Sequence, residues 1–294
     1  MRADTDEKEE VILSRSIIRK LSFFTVVAAC VLSCIPVFIL LVGAVTGKQE
    51  LLECLEGIFQ EQGDTYFFLF PSYPTLRGFI EVLLDKPEFY VVFWNSVKLT
   101  CLIILGQIFF SVPAAWGFSR WHGKLSSLLF YLYTVLMLLP FQVTMLSNYI
   151  VINGMGILDT HAAVILPAVF STFPVFIIYR SFIGIPEEVF EAFSLESSSR
   201  LKMFWNIGIP LAMPGIKSAV LLSVIEYWNM IEQPLLFLET PSLWPFSIYI
   251  PGISYDNVQY IFVFSLIVLI PMILIVFWGR DEIRNGIGTM ALKK

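Results

Sequence analysis

Four side chains in one long apolar run, residues 213–238, are equipped to meet a polar ligand: Glu226, Trp228, Asn229 and Glu232. A carboxylate inside a membrane-crossing stretch is costly and is a functional candidate by default. On one continuous helix Glu226, Asn229 and Glu232 fall at i, i+3 and i+6, within a single broad face. Such a face suits the hydroxyls of a polar solute, with Trp228 or Tyr227 stacking on a ring. The competing reading leaves Glu232, beside Gln233 and Pro234, among the outer headgroups and uses Asn229 to fasten neighbouring helices. A second polar stretch, Glu191 to Gly215 (EAFSLESSSRLKMFWNIGIPLAMPG), lies between two long apolar runs, where a soluble partner is met. Just before it, Pro186, Glu187 and Glu188 suit a helix start, because proline is tolerated in the first turn and acids favour the positive end. Val189, Phe190 and Phe193 then share one face, with Glu188, Glu191 and Ser194 towards the other. A helix of that kind lays its apolar face in a groove and pairs its acids; the alternative is a helix lying on the membrane surface.

Other chemistry is missing. His122 and His161, the chain's two histidines, are expected on opposite sides of a membrane, so neither a metal site nor a Ser-His-Asp site uses both. Neither HExxH nor GxSxG occurs. GFSRWHGKL, Gly117 to Leu125, places five residues between its glycines instead of four and has Leu125 where a hydroxyl must reach magnesium, so it is not a phosphate-binding loop. No cofactor and no catalytic residue is expected, and ATP-driven work requires another chain. Cys30, Cys34 and Cys101 lie in apolar runs and only Cys54 outside, which gives no disulfide framework.

These residues must be positioned by membrane helices. Hydrophobic residues make up 57% of the chain and charged ones 15%, with a mean hydropathy of +0.77. A spanning helix takes about 20 mainly apolar residues, and six runs qualify: residues 20–46, 92–118, 126–150, 162–183, 213–238 and 258–279. The expected fold is an all-α integral membrane protein with six transmembrane helices. Six crossings put both termini on one side, and lysine and arginine mark that side as cytoplasmic. Arg2, Lys8, Arg15, Arg19, Lys20, Arg120, Lys124, Arg180, Arg200, Lys202, Lys217, Arg280, Arg284, Lys293 and Lys294 fall there, against Lys48, Arg77, Lys86 and Lys98 outside. The domains follow: a cytoplasmic tail over 1–19, a first span over 20–46, an extracellular loop over 47–91, a five-helix core over 92–279 and a cytoplasmic tail over 280–294. The first span is about 25 residues behind an acidic start, Asp4 to Glu10, longer than the roughly 7 to 15 residues of a secretory signal core. The outer loop is acidic and supplies much of the net charge of −5, which gives no support to nucleic-acid binding.

Prolines interrupt the spans at Pro36, Pro113, Pro140, Pro167, Pro174, Pro234 and Pro271. They read either as ordinary membrane-helix composition or as kinks around a pathway. The outer loop, with Pro71, Pro74, Pro87, Phe67, Phe68, Phe70 and Tyr73, is expected to lie over the outer face. Thr240 to Asn257 (TPSLWPFSIYIPGISYDN) suits interface anchoring or contact with an outside partner. Gln107 and Lys98 are further polar candidates, with helix packing or snorkelling as the default explanation. The Gly43–Gly47 pair is too common a pattern in such helices to assign a contact.

The polar stretch resembles the EAA loop of ABC importer permeases. Glu191, Ala192, Glu196 in the Asp position, Phe204, Ile207, Pro210, Leu211 and Pro214 match, while Phe193 replaces the second Ala and Ser197 the Gly. Over residues 74–279 the chain is similar to the maltose-type carbohydrate-uptake branch: Asn95-Ser96, Ala114-Ala115 to Arg120, Leu139-Pro140, Gly156 to Thr160 like Gly-Leu-x-Asn-Thr, Trp228-Asn229 and Pro234-Leu235. The resemblance implies a type I ABC importer permease fold and a sugar or oligosaccharide importer working by ATP-driven alternating access. It implies a second homologous permease, two ATP-binding cassette subunits and an extracellular solute-binding protein as partners, in a bacterial cytoplasmic membrane and among its lipids. It also implies a cytoplasmic coupling loop over 184–215, in which Glu188, Glu191, Ala192, Glu196 and Ser197 contribute, Glu191 pairs with a basic residue of the ATPase, and Phe190 and Phe193 fill its groove. Ser in place of Gly at 197 is expected to disturb the turn, and Ser198-Ser199 to offer a capped second helix. A divergent system with non-sugar cargo or export direction, or a non-transporting scaffold, is the alternative reading.

Overall fold

The computed structural model describes residues 3–59, 70–121 and 123–291, with side chains over 19–55, 70–121 and 123–280. Arg2, Glu61, Asp64, Phe67, Phe68, His122, Lys293 and Lys294 lie outside the described residues, as do the side chains of Lys8, Arg15, Glu56 and Arg284. Every regular element among the described residues is helical. The chain divides into two compact units, Met1–Val82 with Ser254–Leu266, and Leu83–Ile253 with Ile267–Lys294.

In the first unit, helix α1 (Ala3–Val45) carries an apolar stretch over Arg19–Val45 long enough to cross a membrane. Most of its apolar side chains up to Leu41 stand exposed, and burial begins at Gly43 and Ala44. Gly43 is needed there: an added Cβ would lie 2.3 Å from the ring of Phe262. Among the described residues the expected outer loop is largely helical, with α2 (Lys48–Phe59) and short helical stretches at Arg77–Ile80 and Glu81–Asp85. Gln259 donates to the Thr46 carbonyl (3.0 Å), and Tyr255 donates to the carbonyl of Leu52 (2.6 Å). Arg77 (2.7 Å) and Tyr260 (3.0 Å) both bond Glu81, and those bonds hold its carboxyl below the usual carboxylate range.

The second unit contains α3 (Pro87–Arg120), α4 (Lys124–Met137), α5 (Phe141–Gly154), α6 (His161–Val169) and α7 (Thr172–Ile183). It continues through α8 (Glu187–Glu196), the long helix α9 (Arg200–Trp228), α10 (Glu232–Phe237) and the later part of α11 (Val258–Ala291). Successive contacts fix the directions. Leu99 packs with Ala163 and Val164, an added Cβ on Gly106 would reach Val169 at 2.5 Å, Val112 and Ala115 pack with Val175 and Ile178, and Arg120 reaches Glu187. Helix α3 and the α6–α7 pair therefore run the same way. The opposite direction of α9 follows from Ser181 donating to the Ala212 carbonyl (3.3 Å) and Tyr227 to that of Ala168 (3.5 Å). Gly279 of α11 packs on Leu221, and Val268 packs with Trp228.

The third expected span, 126–150, is not one helix. It is α4 and α5, bent by 103° where Pro140 lacks the donor that would continue the ladder. Alone, α4 would reach about 21 Å, short of the roughly 30 Å apolar layer. Because α3 and α6–α7 are parallel, the bent pair must return the chain from the end of α3 to the start of α6, so together they make the crossing. The expected fourth span holds as His161–Ile183 but is interrupted at 170–171, upstream of Pro174.

Glycines mark the tightest approaches. A Cβ on Gly215 would sit 2.4 Å from that of Ser181, whereas nothing lies within 4 Å of one on Gly154. Overpacking of this kind costs about 1–3 kcal/mol. Gly215→Val is therefore expected to lower the unfolding midpoint of the detergent-purified protein, measured by thermal melting, and Gly154→Ala to leave it in place.

Candidate functional site

The polar stretch folds as two helices with an extended break. Helix α8 begins after Pro186 with Glu187 and Glu188 in its first turn and ends at Glu196. Ser197 follows with φ −146° and ψ 126°, extended backbone open to any residue, so serine in place of glycine does not disturb this turn. The Ser197 amide bonds the Phe193 carbonyl (2.9 Å), and Ser199 caps α9 by accepting from the Lys202 amide (3.4 Å). Within α9, residues Phe204–Gly208 form a π turn closed by the Ile209 amide on the Phe204 carbonyl. The widened turn sits just before Pro210, which cannot donate and crowds the preceding turn.

The two faces of α8 divide differently from the expectation. Phe190 is 2% exposed and turned into its own subunit, so it cannot fill a partner's groove; its ring lies 5.7 Å from that of Trp116. Phe193 is half-buried. Glu188, Glu191, Ala192 and Leu195 are exposed at i, i+3, i+4 and i+7, a single stripe, and Leu195 is 91% exposed. Glu196 is also exposed, at the helix end.

The other side of α8 is held by the last turn of α3. The Arg120 guanidinium forms a two-pronged pair with Glu187, Nη1–Oε2 2.8 Å and Nη2–Oε1 2.5 Å, and its carbon lies 4.2 Å from the centre of the Phe190 ring. Trp116, one turn earlier, meets Phe182 (5.2 Å), Phe190 and Phe204 (5.5 Å), and Gly208 admits its edge. Burying the Phe190 ring contributes about 2–3 kcal/mol. The ion pair, with Glu187 still 55% exposed at its side chain, contributes no more than about 1 kcal/mol. Its consequence is orientation: a forked pair admits few geometries.

The second candidate set is dispersed. Helix α9 ends at Trp228, and Glu232 opens the separate α10, so Glu226, Asn229 and Glu232 do not share one helix face. Pro234 is the cause: continued helix would require its missing amide, whereas in the first turn of α10 it is tolerated. Asn229 turns its amide back to the Ile225 carbonyl (3.2 Å), and Ser247 donates to the Met230 carbonyl (2.5 Å). Trp228 is 6% exposed, packed by Phe93 (6.2 Å) and Phe246 (5.2 Å), and Tyr227 is buried, so neither stands free to stack on a solute. Glu226 and Asn229 are exposed near the end of α9, and Glu232 accepts from Gln142 of α5. Gln107 is a packing residue: it donates to the Ala168 carbonyl (2.8 Å) at the break between α6 and α7.

At the other end of α3, Asn95 donates to the carbonyls of Ser242 (2.8 Å) and Trp244 (3.2 Å), and the Ser96 hydroxyl accepts from the Phe246 amide (2.9 Å). Asp159, in the left-handed region at φ 54°, accepts from the amides of Glu239 and Thr240 (2.9 Å each) and from the Thr240 hydroxyl. These bonds hold its carboxyl below the usual range. His161 reaches the Leu243 carbonyl (3.1 Å). Sequence reasoning noted Asn95-Ser96 and Asp159 only as points of resemblance, Arg120 only as such a point and as a cytoplasmic charge, and missed Trp116 and Leu195; the helical spacing of Leu195 at i+4 from Glu191 and i+7 from Glu188 was the available signal.

Residues 107–285 match the model of a family described as binding-protein-dependent transport system inner membrane component. The chain belongs to this family. It is a multi-pass permease subunit of the cytoplasmic membrane, working in a binding-protein-dependent transport system. It is similar to Protein LplC of Bacillus subtilis, 30% identical over 207 residues covering 69% of each chain. The glucose import system permease protein GlcU of Saccharolobus solfataricus is 28% identical, covering 92% of this chain and 93% of its own. The arabinooligosaccharides transport system permease protein AraQ of Bacillus subtilis is 23% identical, covering 88% and 90%. A chain in the crystal structure of a bacterial ABC transporter involved in the import of the acidic polysaccharide alginate superposes with a TM-score of 0.71 at 19% identity, covering 88% of this permease and 96% of that chain. The fold is shared with that importer.

The Asp159 clamp yields a test. Because its folded pKa is lowered, the clamp's contribution is complete above the ordinary carboxylate value of about 4 and is lost only as pH falls through the lower folded value. Protection of the Glu239 and Thr240 amides, measured by hydrogen exchange and corrected for intrinsic rate, should therefore be equal at pH 6 and pH 8. Asp159→Ala should abolish it, and Asp159→Asn, which keeps an acceptor and tolerates the left-handed backbone, should retain most of it.

Proposed function

We propose that this permease serves an ABC importer for a sugar or oligosaccharide, with α8 as the helix that engages an ATPase subunit. The observation that carries the reading is the outward stripe of Glu188, Glu191, Ala192 and Leu195 on a helix braced from behind by Phe190 and Arg120. An apolar knob beside two acids suits a groove with a basic rim. The coupling segment then spans 184–215, with Ser197 and Glu196 at its break and Phe193 at the edge of the contact. The partners are a second homologous permease, two ATP-binding cassette subunits, an extracellular solute-binding protein and surrounding lipid. ATP binding closes the ATPase pair, α8 moves with it, and the permeases pass from inward-facing to outward-facing while the loaded binding protein docks. Such switching requires ATP and the docked protein to favour one state over the other. Both termini lie in the cytoplasm, on the side richer in lysine and arginine.

The carbohydrate assignment draws on relatives whose names specify arabinooligosaccharides and glucose import. Another relative, from Yersinia enterocolitica, is a permease protein for sn-glycerol-3-phosphate. Glu226 and Asn229 face the pathway, Trp228 supports them from behind, and Glu232 is held at the side by Gln142.

Affinity purification from the native membrane tests the assembly: a second permease, an ATPase and a solute-binding protein should be recovered, and recovery without an ATPase would sink the reading. Glu191→Ala with Leu195→Ser should then cut ATPase retention by about tenfold or more, as expected for central contact residues, with the subunit's melting unchanged. Phe190→Ala should instead lower the melting point, at a cost of about 3–5 kcal/mol. For the pathway, Glu226→Gln and Asn229→Ala should alter uptake of the binding protein's ligand without disturbing assembly; wild-type uptake in both variants would remove them from it.

A further inference from the structure

The last turn of α3 has a role that the docking stripe does not supply. We infer that Arg120 is a positioning residue for coupling: through Glu187 and Phe190 it ties α8 to α3, so that movement of the docked helix is delivered to the opposite end of α3. The inference rests on the reading of α8 as the ATPase-engaging helix.

Two sets of contacts carry it. At its C-terminal end, α3 holds α8 by the forked Arg120–Glu187 pair and by the guanidinium over Phe190, with Trp116 lodged among Phe182, Phe190 and Phe204. At its N-terminal end, the same helix holds residues 242–246 through Asn95 and Ser96. Those residues are also linked to the end of α9 by Ser247 on the Met230 carbonyl. Helix α3 therefore joins the back of α8 to the region of Asn229. The covalent link from α8 to α9 passes through the extended residues 197–199, and the link from α7 to α8 through residues 184–186. Neither connection is helical, so neither fixes the angle of α8 as the forked pair does. Glu187 lies in the first turn of α8 at the edge of the exposed stripe, where its carboxylate is engaged by Arg120 while the side chains of Glu188, Glu191 and Leu195 stand exposed.

The test uses the whole complex in proteoliposomes, with the four native cysteines replaced. Asn229→Cys is the reporter, a membrane-impermeant maleimide the probe, and ATP with vanadate the trap. Wild type is expected to change its labelling rate by about tenfold on trapping, within the usual range of coupling between distant sites. Arg120→Gln and Glu187→Gln should keep the ATPase bound and hydrolysis within about twofold while the labelling response falls below about twofold. Arg120→Lys, which keeps the charge but not the fork, should fall between. Single variants that retain the full response, lose hydrolysis in parallel or release the ATPase would overturn the positioning role. A wild-type complex with neither ATPase nor nucleotide response would instead overturn the importer reading on which it rests.

Discussion

Backbone hydrogen bonding in a medium without water is the constraint on which this permease depends. Each proline inside a span removes a donor and crowds the carbonyl one turn back, and bilayer lipid offers no substitute partner. At Pro140, Pro174 and Pro234 the chain meets this by breaking its helices and satisfying the freed groups, while Pro36, Pro113, Pro167, Pro214 and Pro271 lie within continuous helices. At the break before Pro174, the Ala168 carbonyl takes the Gln107 amide and the Tyr227 hydroxyl. Before Pro234, the Met230 carbonyl takes Ser247, and Asn229 closes the end of α9 on Ile225. At Pro140 the chain turns by 103°, with tight backbone bonds from Leu138 and Leu139 closing α4. The buried polar residues are thus largely structural, and the irregular places are where exposed polar residues such as Asn229 and Glu232 are set.

A ten-residue helix such as α8 is marginal in isolation. Its stability must come from packing, and the one side chain that it buries completely is Phe190. Committing that ring to Trp116 and Arg120 leaves the opposite face free for a partner. The two surfaces are therefore complementary demands on one short sequence: Phe190 faces inward, Glu187 is tied to Arg120 at the edge, and Glu188, Glu191, Ala192 and Leu195 face outward.

Much of this was legible in the order of residues. The apolar runs identified the membrane helices, Pro186-Glu187-Glu188 marked the start of α8, and Ser199 marked the cap of α9. What failed were inferences requiring helix continuity or knowledge of a third element. Glu226, Asn229 and Glu232 share a face only if α9 runs past 229, and Pro234 forbids that. Phe190 looked like a docking residue because its helix is amphipathic, but periodicity shows that a face is apolar without showing what covers it. Trp228 was misread likewise: its covering rings, Phe93 and Phe246, come from positions remote in sequence. The Asp159 clamp was equally inaccessible, since its acceptors matter only once residues 239–240 are beside it.

Helix α3 is the element on which the two ends of the second unit converge, and it contains Pro113 within its length. A lone helix with an internal proline would bend there, and displacement at Arg120 would be lost before reaching Asn95. Here the residues around that proline are side-supported: Val112 and Ala115 are buried with Val175, Ile177 and Ile178 of α7 and with Ala212 and Ile216 of α9. Packed interiors resist local deformation and pass strain on. The stiffness missing from the hydrogen-bond ladder at 113 is supplied by two neighbouring helices, so α3 moves with α7 and α9 as a packed group. Arg120 need then contribute little to stability to matter, because its task is to hold α8 at a fixed angle to that group.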